Sequence, residues 1–360
     1  MLENTLYCLT KRQKLTVAYF GGSITEGAGA TDYKYSWAGR TTAWLRERFP
    51  DAEINGIQAA IGGTGSTLGV FRCEENVCAY HPDLIFYEYA CNDSGGDFMT
   101  LLNNCDAIFR KIWKSNPFAD IVMIYTSTKS MSDCLIDGNE LSSRTAQSAA
   151  AYYYGGIPQI DIGEALRYRV ISEGGDWKKY TGDTVHPTDA GYAIYAETIF
   201  RHLASCFDNA EKLDAPRARK LPQPLFSDTS RIDARMVDAY SAVCGDGWQK
   251  VEQSLCGRYP HYIEALNPGA ELTFTFTGTQ CDIYWMMAKD SGDIVFSVDD
   301  GPETTRRSWD HYCMSFNRAN SAGLVSGLKP GRHTLRLRVA DTKEERSEGT
   351  AIRIAAFLVL

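Results

Sequence analysis

Ser23 follows two glycines in the stretch VAYFGGSITEG, residues 17–27, and far downstream Asp183 precedes His186 by three residues in DTVHP. A serine hydroxyl is a weak nucleophile until a base takes its proton, and the base needs a third group to hold its tautomer. Asp183 can curl back to the Nδ1 of His186, and Pro187 suits the first turn of a helix. That helix, PTDAGYAIYAETIFRHL, carries Ile194, Ile199, Phe200 and Leu203 as residues expected to be buried. Of the six histidines, His81 also precedes a proline, but it leads into the amino end of a strand, on the wrong rim. Acyl transfer further needs donors aimed at the oxyanion of the tetrahedral intermediate. The N–H of Ser23, the Gly62-Gly63 turn of IGGTGS (61–66) and the amide of Asn92 can supply them. Phosphate chemistry fits poorly. The glycines match neither GxxxxGK[ST] nor GxGxxG, and Thr25 breaks the GxSxG elbow.

These residues need a scaffold that brings distant segments to one edge. From residue 15 to about 205, short β-rich runs (15–20, 52–60, 83–90, 120–127 and 157–162) alternate with helical patterns such as 36–49 and 98–115. That alternation predicts a parallel α/β sheet with right-handed crossovers, whose ligands bind beyond the carboxyl ends of the strands. Ser23, the glycine turn and Asn92 each follow a strand, and DTVHP follows the last one, so all four segments fall on one rim. Residues 214–226, DAPRARKLPQPLF, hold three prolines and three basic residues and read as a linker. Beyond it, alternating runs such as ELTFTFTG and DIVFSVDDG, with turns at Asp300-Gly301 and Lys329-Pro330-Gly331, predict an antiparallel, jelly-roll-like β-sandwich. The expected division is a catalytic domain at 1–213, the linker at 214–226 and an accessory domain at 227–360.

The chain of 360 residues has a net charge of -8, which opposes nucleic acid or an anionic membrane as partner. The expected ligand is a small molecule or neutral polymer, and a homo-oligomer is compatible with the sequence. No apolar run approaches the ~20 residues of a membrane span. The start, MLENTLYCLTKRQK, lacks the pattern of a secretory signal. Eleven scattered cysteines, of which only Cys73 and Cys78 lie close together, indicate neither a disulfide framework nor a zinc site. A cytoplasmic location is the expectation.

Together the four segments resemble the SGNH hydrolases, or GDSL-type esterases, named for a serine, a glycine, an asparagine and a histidine in that chain order. FGGSIT resembles the nucleophile block, IGGTGS the glycine block with Gly63 favoured as donor, CND the asparagine block and DTVHP the last block. The first block has Gly22 where the commoner pattern has aspartate, a feature of an FGGSIT-like subgroup. The third has Ala90-Cys91 where many relatives have glycine two residues before the asparagine. The resemblance implies a five-stranded, flavodoxin-like sheet between helices and a ping-pong mechanism through an acyl-serine, with no metal or organic cofactor. Members with an added sandwich resemble carbohydrate acetylesterases acting on mannan or xylan oligosaccharides, in which the sandwich is carbohydrate-binding-module-like. Alternatives are a lipase, thioesterase or arylesterase with a longer acyl pocket and, from another class, a non-catalytic carbohydrate-binding protein. Trp177, in a glycine-rich loop, is a candidate for stacking on a sugar, and Gly62 is a second candidate for substrate binding. Trp285, Trp309 and Tyr284 read as sandwich core, 290–293 as a hairpin turn, and Cys91 is the one cysteine placed near the site.

Overall fold

The computed structural model describes residues 2–254, 256–257 and 259–360, and it divides into two compact units, Met1–Ile232 and Asp233–Leu360. The first unit is built on five parallel strands, β1 (Lys14–Gly21), β2 (Glu53–Gln58), β3 (Leu84–Glu88), β4 (Asp120–Tyr125) and β5 (Gln159–Asp161), in the order β2-β1-β3-β4-β5. This is the doubly wound flavodoxin-like order, with its reversal at β1. The apolar and aromatic residues that predict strands are the buried ones: β3 and β4 are buried along their whole length. β2, at the edge, is buried only at Ile54.

Helices α1 (Glu3–Tyr7), α2 (Ser23–Glu26), α3 (Trp37–Arg48), α4 (Ser66–Asn76), α5 (Phe98–Ser115), α6 (Lys129–Ile136), α7 (Ser142–Tyr153), α8 (Ile162–Ser172) and α9 (Asp189–Asn209) complete the unit. Several of them start at side-chain caps: Ser36 accepts from the Gly39 N–H and Asp97 from the Thr100 N–H. In α5 the buried residues Leu101, Cys105, Ile108, Phe109 and Ile112 recur at three and four positions, as one face packed on the sheet requires. Between sheet and helices, Tyr19 stacks on Phe86 with centroids 5.4 Å apart, and Trp37 meets both edge-on.

The segment 214–226, read from its composition as a linker, lies within the first unit. Arg219 N–H donates to Pro117 O at 2.8 Å, Asn4 and Arg217 exchange two hydrogen bonds, and the Pro222 carbonyl accepts from Arg110 at 2.8 Å. Prolines keep it out of helix and ladder, so its backbone polar groups are satisfied by partners distant in sequence. The boundary between the units follows at Ile232.

The second unit pairs two antiparallel sheets. One orders Thr304–Arg307, Asp293–Val298, Gly331–Val339, Glu271–Gly278 and Val243–Cys244. The other orders Arg318–Val325, Cys281–Met287, Ile352–Val359, Tyr262–Ala265 and Trp248–Val251, and Arg235–Asp238 also pairs with Ile352–Val359. Trp285 and Trp309 lie in the core between the sheets with Phe274, Phe276 and Phe357. Tyr284 is also fully buried. In the 290–293 segment, Asp290 forms a two-pronged ion pair with Arg353, both contacts 2.8 Å, which fixes this turn to its own unit.

Candidate functional site

β1 ends at Gly21, and the chain passes through Gly22 directly into the short helix α2, whose first residue is Ser23. Side chains are excluded from this turn. A Cβ on Gly21 would lie 2.5 Å from the Glu88 carbonyl, and one on Gly22 would lie 1.9 Å from Asn92 Oδ1.

From the other end of the chain, the loop before α9 brings in His186. Its Nε2 lies 2.9 Å from Ser23 Oγ, and its Nδ1 lies 2.7 Å from Asp183 Oδ2. Asp183 Oδ1 also accepts the backbone N–H groups of Val185 and His186 at 3.0 and 2.7 Å. Partial burial would raise the Asp183 carboxyl pKa, but the hydrogen bonds from His186 and Val185 outweigh it and hold it below the usual range. Thr184 is in the left-handed region, φ 69°, which a β-branched residue rarely adopts; its carbonyl accepts from the Lys129 N–H at 3.0 Å.

The serine and histidine segments are fastened to each other directly. Tyr192 of α9 donates its hydroxyl to the carbonyls of Ile24 and Ala28 at 3.0 and 2.8 Å, and Asp189 accepts from the Thr31 N–H at 2.9 Å. Gly29, φ 89°, lies so close that a Cβ there would be 2.5 Å from Pro187 O and 3.1 Å from His186 Cβ. These contacts escape a reading by motif, because none of the residues falls in a motif block and each serves only to hold the two segments together. The one sequence signal is the pair of glycines, 27 and 29, just after the nucleophile block.

The donor groups separate into engaged and available ones. The Gly62 N–H donates to Glu26 Oε2 at 3.0 Å, so this residue, expected beside the substrate, serves the protein's own framework. The N–H groups of Gly63 and Ser23 and the side-chain amide of Asn92 are not engaged by any other group among the described residues. Gly63 sits at φ 72° with open space where a Cβ would be. Its neighbours are held by Asp93, which accepts the Ser66 N–H at 2.9 Å and ties the glycine segment to the asparagine segment.

Trp177 departs from expectation. It is 7% exposed and belongs to the hydrophobic core of the first unit, so its ring has no free face for a sugar. An indole in a loop lowers its free energy by burial, and the Trp177 backbone carbonyl accepts both the N–H and the hydroxyl of Thr181, two residues before the DTVHP segment. His81 takes no part in this arrangement; it lies at the amino end of β3 with Ser115 at 3.2 Å. Cys91 lies beside Asn92 and is partly buried, which pushes its thiol pKa up to about 12 and leaves it a weak nucleophile.

Beside His186 is a cavity of about 240 Å³ lined by Gly29, Gly182, Asp183, His186 and Thr188, none of them a large apolar residue. A hydrogen-bonded carboxylate, imidazole and hydroxyl at a strand-end rim, with three free donors on neighbouring segments, describes a hydrolase of acyl groups.

Residues 19–194, just under half of the chain and all within the first unit, match the model of the GDSL-like Lipase/Acylhydrolase family. The chain is accordingly a carboxylic ester hydrolase. Among solved structures, a two-domain esterase (CEX) active on acetylated mannans is similar over 100% of this chain and 95% of its own, at 17% identity and a TM-score of 0.84. A second structure, a two-domain esterase (CEX) active on acetylated mannans co-crystallized with mannopentaose, is similar over 98% of this chain and 94% of its own, at 19% identity and a TM-score of 0.82. At such identities the likeness is one of fold. Among curated proteins none matches the chain.

Proposed function

We propose that the protein is a serine esterase that removes acetyl groups from oligosaccharides of the mannan or xylan type. Ser23 is the nucleophile, His186 the general base and then acid, and Asp183 its orienter. The observation that carries this reading is the continuous line from Asp183 Oδ2 through His186 to Ser23 Oγ. His186 Nε2 takes the hydroxyl proton as Ser23 Oγ attacks the ester carbonyl, and the oxyanion is met by the N–H groups of Ser23 and Gly63 and by the Asn92 amide. Collapse expels the sugar alkoxide, which leaves with the proton from His186. Water then attacks the acetyl-serine with His186 again as base, releasing acetate and restoring the hydroxyl.

Three features support a small acyl group on a bulky alcohol. The cavity beside His186 is lined by glycines and polar residues and by no large apolar side chain, which favours an acetyl group over a long alkyl chain. The rim is open, with the Asp183 side chain 57% exposed, so a sugar chain has access from bulk solvent. The two-domain neighbours of like fold are active on acetylated mannans. Acetate release from acetylated manno- and xylo-oligosaccharides, followed by NMR to show which hydroxyls are freed, tests the substrate. Comparison of acetyl, butyryl and octanoyl esters tests the acyl pocket, and a preference for octanoyl would overturn the assignment in favour of a lipase or thioesterase.

A further inference from the structure

A turn with no side chain at positions 21 and 22 has nothing of its own to hold it, yet it must aim Ser23. Two fully buried charged residues, each 0% exposed, surround it. Glu88, the last residue of β3, is paired in register with Gly21. Its carboxylate accepts from the Thr25 hydroxyl at 2.7 Å, from the Thr126 hydroxyl at 2.6 Å and from the Gly22 N–H. Arg72, on α4, donates to the Gly21 carbonyl at 3.0 Å, to the Tyr89 hydroxyl at 2.6 Å and to the Ala59 carbonyl. Its guanidinium also lies over the Phe20 ring, 4.5 Å from the centroid. The same Gly21 carbonyl accepts the Ile61 N–H at 3.1 Å.

The peptide joining Gly21 to Gly22 is therefore held at its carbonyl by a guanidinium and at its N–H by a carboxylate. The next N–H along the chain is that of Ser23. Arg72 at the same time joins the end of β1 to Ala59, which leads into the Gly62-Gly63 turn. Burying ionised groups is costly unless each is hydrogen-bonded, and a fold that keeps both of them around one peptide needs a reason beyond packing.

We propose that Glu88 and Arg72 are positioning residues for acyl transfer. They clamp the Gly21–Gly22 peptide from both ends and through it fix the Ser23 hydroxyl against His186 and the Ser23 N–H against the oxyanion. The inference rests on the assignment of Ser23 as nucleophile. Errors of ~1 Å at reacting groups cost on the order of 100-fold in rate, so a loosened peptide should be visible in turnover and not in ground-state binding.

The test compares wild type, Ser23→Ala, Glu88→Gln, Glu88→Ala, Arg72→Lys and Arg72→Met in the full chain. For each, kcat and KM are measured on p-nitrophenyl acetate, together with thermal unfolding. Glu88→Ala and Arg72→Met are expected to lose about 100-fold in kcat with KM within about threefold. Glu88→Gln can still accept from Gly22 while the Thr126 hydroxyl turns to accept from the new amide, and it should recover to about a tenfold loss. Arg72→Lys, which cannot reach all its acceptors at once, should lose about tenfold as well. The Glu88→Gln and Arg72→Lys double variant should lose less than the product of the single losses, because both act on one peptide. Wild-type kcat in folded Glu88→Gln and Arg72→Lys, a loss confined to KM, or a loss that follows the unfolded fraction would overturn the proposal, whether or not the alanine and methionine variants fold. Ser23→Ala separates the two levels. If it stays active the nucleophile assignment fails. If it is inactive while the Glu88 and Arg72 variants turn over normally, only the positioning role fails.

Discussion

Gly22→Ala separates catalysis from stability more cleanly than any change to the triad. A Cβ at position 22 would lie 1.9 Å from Asn92 Oδ1 and 2.8 Å from Asn92 Cγ, whereas ordinary contact begins at 3.4 Å. The terminal amide must therefore retreat by about 1.5 Å, the difference between 3.4 and 1.9, whichever way it is turned. A hydrogen-bond donor moved that far no longer reaches an oxyanion, and loss of one such donor costs ~10²- to 10³-fold in kcat, or about 3–4 kcal/mol. The fold should hardly register the change. Asn92 is exposed and its amide is unengaged among the described residues. Gly22 has φ -98° and ψ -153°, an extended conformation open to alanine, so the substitution even gains up to about 1 kcal/mol by restricting the unfolded chain. The assay is kcat on p-nitrophenyl acetate beside thermal unfolding, for Gly22→Ala, Asn92→Ala and the double variant. The expected result is a 10²-fold loss at unchanged or raised melting temperature, with the double variant no slower than Asn92→Ala. A kcat within threefold of wild type, or losses that multiply, would refute the reasoning.

Gly29→Ala places a methyl group 2.5 Å from Pro187 O at φ 89°, so the His186 segment should shift and kcat fall by about 100-fold, while denaturant titration shows a loss of about 1–2 kcal/mol. Trp177→Leu should lower the melting temperature, at a cost of about 1–3 kcal/mol, and leave KM for acetylated oligosaccharides within about twofold, because the indole is a core residue; a large rise in KM would restore it as a sugar platform. Burial raises the Asp93 carboxyl from 3.8 to about 6 against the opposing hydrogen bonds from Ser66 and Gln147. Its raised value means that its stabilising contribution is full below about pH 4 and is lost as pH rises through about 6, a difference of about 3 kcal/mol. Asp93→Asn should accordingly gain stability relative to wild type between pH 4 and pH 8, helped by the buried Gln147 Oε1, which is without a partner among the described residues and can accept from the new amide. Urea titrations across that range check it, and a constant difference would contradict it.

The parts legible in the sequence are those fixed by local pattern. The span 98–115 reads as a helix and is one, Phe98–Ser115, because its apolar positions repeat at helical spacing and Asp97 caps it. Ser23, Asp183 and His186 could be singled out because few residue types perform nucleophilic chemistry and each sits at a strand or helix end. Trp177 is not legible in this way, because a loop tryptophan carries no mark of which way its ring turns, and burial is decided by long-range packing. The segment 214–226 shows the same limit: its composition says that it forms no helix or strand, and says nothing of the acceptors that Pro117 and Asn4 supply. Glu88 left a trace that motif reading passes over. A carboxylate inside the otherwise apolar run LIFYEYA has to be met by donors, and in a buried parallel strand those donors come from neighbouring strand ends.

The central claim is that Ser23 forms the acyl intermediate. It is tested most directly by acetate release from an acetylated oligosaccharide by folded Ser23→Ala. A loss of at least about 10³-fold in kcat at unchanged thermal stability is the expected result, and a loss of less than about tenfold would contradict the account.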